Sequence, residues 1–224
     1  MDFRSIFDEK HFPQWGFIGS AVGYLFILGA AIPYRGHEGE PYSFARHFVS
    51  ELGEIGVSDG SMLFNVGLIL AGFFYIPFMI GLGLYLDNIV GKLAGAVGVY
   101  SSVSIIFVGI FPMNYRAQHY LSAMSFFFSG LIMVLLWTLA ILLQKESRIP
   151  KNLSLGGLVN AFCFAVFLFG DYGSYDELSE RPDFWLLPFF EWSIYFAIVS
   201  YLLLISLYVW NKGRTQKVLL VEDI

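Results

Sequence analysis

Six long hydrophobic runs, at about 15 to 34, 62 to 86, 93 to 112, 119 to 143, 154 to 170 and 185 to 210, restrict this chain more than anything else in it. Crossing about 30 Å of hydrocarbon takes roughly 20 mostly apolar residues in a helix, and each run approaches or exceeds that length. Only 14% of the residues are charged and 57% are apolar, against about 25% charged in a soluble domain. The expected fold is therefore all-α: a polytopic membrane protein built as a six-transmembrane-helix bundle. The longest connection runs from Arg35 to Ser61, too short for a second domain, so residues 1–224 read as one six-span domain. The N-terminal segment MDFRSIFDEKHFPQ balances acid with base and leads into no small-residue cleavage site, so the first span is expected to remain in the mature protein. Cys163, the lone cysteine, lies mid-span and reads as a small core residue; it excludes an intramolecular disulfide.

The lysines and arginines give the orientation. Nine of them (Arg4, Lys10, Lys92, Lys145, Arg148, Lys151, Lys212, Arg214, Lys217) fall on the side of the termini and of loops 2 and 4, against four (Arg35, Arg46, Arg116, Arg181) in loops 1, 3 and 5. The positive-inside rule then puts both termini in the cytoplasm and loops 1, 3 and 5 on the exterior or luminal side. That side also carries ten loop acids: Glu38, Glu40, Glu51, Glu54, Asp59, Asp171, Asp176, Glu177, Glu180 and Asp183. Such an acidic rim disfavours nucleic acid and favours cations or zwitterionic headgroups.

Three stretches at this face hold the groups that could do chemistry. In loop 1, Phe44, Phe48, Leu52 and Ile55 recur at helical spacing, which predicts a short amphipathic helix from Ser43 to Ile55 lying over the bundle mouth. His47, Ser50, Glu51 and Glu54 would then share a neighbouring polar face. Gly53 and Gly56 are placed to end that helix, and Ser58 or Asp59 to cap span 2. In the second stretch, His119 opens span 4, with Ser122 one turn deeper and Asn114 and Arg116 before it. In the third, Glu191 and Trp192 come several residues into the apolar run that starts at Phe184. A carboxylate at the bilayer centre costs about 2.5 to 3.5 kcal/mol on insertion scales, less near the interface, so Glu191 should face the bundle interior and have a partner. His119, Arg46 and Asp171 sit at a similar level, the first two being the expected partners. Elsewhere, Gly19 with Gly23 and Gly91 with Gly95 have the spacing of helix-packing pairs, and Phe126, Phe127 and Phe128 read as lipid-facing or core surface.

Three segments together, HFVSELGEIGVSDGSMLFNVGLILAGFF, HYLSAMSFFFSG and FFEW, resemble in order the signature of the Frag/DRAM/Sfk membrane proteins. The prokaryotic relatives collected as a domain of unknown function (number 998) match best in length and in the Phe111-Pro112 pair before the histidine. Carried over residue by residue, the resemblance marks Ser50, Glu51, Gly53, Asn65, His119, Glu191 and Trp192; Phe190 stands where that family has a cysteine before the Glu-Trp pair. It implies a lipid-associated polytopic protein, since members are implicated in GPI-anchor lipid remodelling, lipid-linked signalling and lysosomal autophagy control.

Three functions follow from the groups. The first is a lipid-binding or structural protein whose partners are membrane lipids, in which Arg46, Asn65, Ser122, Asp171 and Trp192 contribute to the ligand site or brace it. The second is a membrane-embedded lipid hydrolase or remodelling enzyme: His47, His119 and carboxylates of Glu51, Asp171 or Glu191 act as acid and base or hold a divalent metal, and Ser50 or Ser122 serves as nucleophile. No H-E-x-x-H or G-x-S-x-G motif supports it. The third, a transporter or channel, is disfavoured because spans 2, 3 and 5 offer only Asn65, Asn160 and a few serines at depth and no span carries a mid-depth charge.

Overall fold

The computed structural model describes residues 3–173, 175 and 178–222; Asp176 and Glu177 of the acidic rim lie outside them. Six helices in it are long and apolar enough to cross a membrane: α1 (Phe12–Ala31), α2 (Ser61–Tyr85), α3 (Ile89–Ile110), α4 (Arg116–Leu143), α5 (Ser154–Phe169) and α6 (Leu186–Glu222). The chain is an integral membrane protein, all-helical across the described residues.

Proline and asparagine set many of the boundaries. Pro13 sits in the first turn of α1, where a missing N–H costs nothing. Pro33 forbids continuation, so α1 stops at Ala31, three residues before the expected end. Pro112 and Pro150 each precede a short 3₁₀ turn, Met113–Tyr115 and Lys151–Leu153, that leads into α4 and α5. Asn88 caps α3 by accepting the Gly91 N–H at 2.8 Å. The expected caps of α2 are not used: Gly60 occupies that position, and the Ser58 hydroxyl is buried without a partner.

Each helix packs on its neighbour in sequence and α6 closes on α1, so the six form a ring. The α2–α3 seam is a close approach of two backbones. A Cβ on Gly95 would lie 2.8 Å from the Met79 carbonyl oxygen and 3.3 Å from the Gly83 Cα, so only glycine lets the two backbones meet. The expected glycine pair of α1 divides instead between two neighbours, Gly19 against Tyr75 of α2 and Gly23 near Val199 of α6. In α1 the backbone widens into a π-type turn over Gly23–Ile27, and the Gly23 carbonyl accepts the Tyr195 hydroxyl at 3.1 Å.

Loop 1 differs from the expected helix in both length and type. Ser43 to His47 form one turn, Phe48 is extended at ψ 151°, and a 3₁₀ helix follows over Val49–Gly53 only. Leu52 is fully buried while Phe44 and Ile55 are exposed, so the predicted apolar stripe is broken at Phe48 and turns to two sides. This short segment, hereafter the lid helix, sits across one end of the ring, in contact with α2 and α6.

Candidate functional site

Intramembrane side chains hold both ends of the lid helix. A helix begins with N–H groups that have no internal partner, and here Glu191, projecting from α6, supplies one: the Val49 N–H donates to its Oε2 at 2.7 Å, and the Ser50 N–H also reaches the carboxylate. At the other end, Asn65 of α2 donates its Nδ2 to the Gly53 carbonyl at 2.9 Å. Gly53 has to be small, because a Cβ there would lie 2.5 Å from Asn65 Oδ1 and 2.7 Å from Phe64. The partner of Glu191 is thus main chain, and the expected pairing with His119 or Arg46 is not formed; two amides satisfy the carboxylate without a second buried charge.

Arginines stitch the rest of loop 1 to loop 5. Arg181 pairs with Glu51 at 2.8 Å, donates to the Arg46 carbonyl at 3.0 Å and stacks over Trp185. Arg46 answers by donating to the carbonyls of Leu178 and Arg181 at 2.6 and 3.3 Å, and the Trp185 N–H meets the Ala45 carbonyl at 2.9 Å. Burial pushes the Glu51 carboxyl up to about 7 despite the pull of Arg181. Asn114 in loop 3 grips the main chain of Ile55 twice, accepting its N–H at 2.8 Å and donating to its carbonyl at 2.9 Å. Trp192 is buried and donates its indole N–H to the Tyr42 hydroxyl at 2.9 Å, which itself donates to the Phe48 carbonyl at 2.7 Å.

The polar face expected for loop 1 does not assemble. His47 is only 2% exposed and turns into its own loop, its Nδ1 accepting the Ser43 N–H at 3.1 Å and its Nε2 facing Glu40 at 3.3 Å. Burial lowers its pKa against the pull of Glu40. Glu54 faces His37 at 3.4 Å. The extended residue at Phe48 separates His47 from the lid helix, so helical spacing no longer relates His47 to Ser50 and Glu51. Ser122 spends its hydroxyl on the Gln118 carbonyl one turn back, and Asp171 is exposed. No group of three or more His, Cys, Asp or Glu able to hold a metal ion occurs among the described residues.

Beneath the lid helix the ring holds a partly open cavity of about 110 Å³, lined mainly by α2, α3, α4 and α6. Three of the sequence-marked residues border it: Ser50, His119 and Glu191. The walls are otherwise apolar over most of their extent, with Phe64, Met79, Ile105, Phe127, Met133 and Leu202 among them. The hydroxyls at greater depth are largely spent: Ser102 on the Gly98 carbonyl, Tyr75 on Ser20 and Tyr195 on the Gly23 carbonyl. His119 faces the cavity in a defined state. Its Nδ1 lies 2.9 Å from the Phe111 carbonyl, which can only accept, so Nδ1 carries the hydrogen and the Nε2 of the neutral ring keeps a lone pair.

No motif foretold the cavity itself, or the parts played by Tyr42, Asn114 and Arg181 in closing its mouth. The one available signal was the depth of Glu191 and Asn65 in apolar runs, which required a partner without saying which.

These features define a class: a six-span helical membrane protein with a looped lid clamped over an apolar cavity. The chain belongs to the family described as a protein of unknown function (DUF998), whose family model matches residues 17–211. No curated protein and no solved structure matches it.

Proposed function

We propose that this protein binds a single-chain lipid inside its helix ring, with the polar end of the ligand at Ser50 and His119 beneath the lid helix. The observation that carries the reading is the polarity of the cavity: apolar along its walls, with Ser50, His119 and Glu191 grouped under the lid. Ligand sites commonly combine such walls with a few convergent polar groups. Size narrows the ligand. A cavity of about 110 Å³ is smaller than the roughly 150 Å³ space that takes up benzene. It accommodates part of one aliphatic chain and has no room for two. The kinship with the wider Frag/DRAM/Sfk proteins, and the placement of loops 1, 3 and 5 on the exterior or luminal face, form part of the same proposal.

The hydrolase alternative draws less support. Glu191 is committed to main-chain amides, Glu51 to Arg181 and His47 to its own loop, which leaves Ser50 and His119 without an acidic partner for water or metal activation. Mass spectrometry of lipid extracted from purified protein tests the binding reading. The wild type is expected to carry a single-chain lipid near one per protein. Ala123→Phe, which pushes a ring into the cavity wall, should lose most of it while eluting as the same folded species. Equal lipid in the two proteins would overturn the proposal.

A further inference from the structure

We infer that the cavity selects an uncharged lipid headgroup that donates a hydroxyl hydrogen bond, as a monoacylglycerol or long-chain alcohol does, and rejects anionic heads. This rests on the lipid-binding reading and specifies its ligand. His119 borders the cavity, and with its Nδ1 hydrogen fixed on the Phe111 carbonyl the acceptor of the neutral ring is Nε2, with which no protein group pairs among the described residues. Glu191, also at the cavity border, is taken up by the Val49 and Ser50 amides. A ligand hydroxyl that pairs with His119 must therefore donate.

Phosphate or carboxylate heads would need a cation, and no lysine or arginine lines the cavity. The arginines nearest in the lid layer are engaged elsewhere, Arg181 with Glu51 and the Arg46 carbonyl, and Arg46 with the carbonyls of Leu178 and Arg181. Freeing Arg181 would strand the buried carboxylate of Glu51, which is 6% exposed. An anion under the lid would therefore be desolvated with no compensating charge, the costliest arrangement for a buried ion. Ser50 adds a hydroxyl that can either donate or accept, and so fits a glycerol hydroxyl without altering the preference.

The test compares delipidated wild-type protein titrated with 1-oleoylglycerol, its dimethyl ether and oleoyl lysophosphatidate, three probes with the same chain. Native mass spectrometry or isothermal calorimetry reads the binding. Oleoylglycerol should bind at least about tenfold more tightly than either of the others, consistent with a buried hydrogen bond left unmade or a charge left unpaired. His119→Ala should shrink the gap between oleoylglycerol and its ether to less than about threefold, while His119→Gln, which retains an acceptor, restores part of it. Equal or tighter binding of lysophosphatidate overturns the headgroup inference and leaves lipid binding standing. Failure of all three probes overturns both. An undiminished preference over the ether in His119→Ala overturns the role of His119, and the wild-type comparison stands even if that variant does not fold.

Discussion

Glu191 and Asn65 serve one purpose from two helices: each satisfies main-chain groups at one end of the lid helix. Buried in protein, such groups cannot fall back on water, so the pairing has more at stake than a surface cap. Glu191→Ala would leave the Val49 and Ser50 amides buried and unpaired, at about 1 to 3 kcal/mol for each group. Hydrogen exchange at those two amides should speed by at least tenfold in detergent-solubilised protein, with a smaller change in Glu191→Gln, whose amide oxygen still accepts. Exchange that matches the wild type would show that Glu191 does not hold the lid. The depth of Glu191 announced a buried partner, and that much was legible in its setting. The identity of the partner was not, because any residue presents the same N–H and a contact from side chain to main chain leaves no sequence signature. For the same reason Asn114, which pairs with the main chain of Ile55, carried no signal.

The lid segment is where periodicity misled. Phe44, Phe48, Leu52 and Ile55 are spaced for an α-helix, yet the chain extends at Phe48 and forms five residues of 3₁₀ helix from Val49. Extension at that point brings the Val49 and Ser50 amides onto Glu191 and the Phe48 carbonyl onto Tyr42, bonds that a continuous helix would have spent internally. The same element should respond to pH. Because burial raises the Glu51 carboxyl from its ordinary value to about 7, the folded lid binds that proton more tightly than the unfolded chain does. Its contribution to stability is full below the ordinary carboxyl range and is lost as pH rises through about 7. His47 works the other way, since burial lowers its pKa and its charging weakens the lid as pH falls below about 6.5. Glu40, which faces His47, stays ionised in the window between, because its burial is outweighed by hydrogen bonds from the main chain and His47, which hold its carboxyl below the ordinary value. Lid protection against exchange should therefore rise from pH 8 to about 6.5, and Glu51→Gln should flatten that rise. A wild-type lid equally protected at both values would contradict this account.

At the scale of the molecule, the ring arrangement turns six amphipathically weak helices into a container, because α6 returns to α1 and leaves an apolar space with the lid at one end. The proposal that this mouth faces the exterior or lumen rests on nine basic residues against four. Single cysteines placed by Asp183→Cys in loop 5 and Glu146→Cys in loop 4, in a Cys163→Ser background, test it. An impermeant maleimide applied to intact cells should label the first and spare the second; the reverse pattern would invert the topology. The number of spans, their approximate limits and the all-helical class were settled by the sequence alone, because burying about 20 residues in hydrocarbon is a local, additive requirement that each run meets by itself. So was the expectation that Glu191 looks inward, since its depth sets its cost. Only the tertiary structure decided who meets whom. It sent His47 to Glu40 and Glu51 to Arg181, and left Ser50, His119 and Glu191 around one cavity. The Glu51–Arg181 pair and the cavity border join loops 1 and 5 and helices α4 and α6, far apart in the chain, and no local pattern records which surfaces a closing ring will bring together.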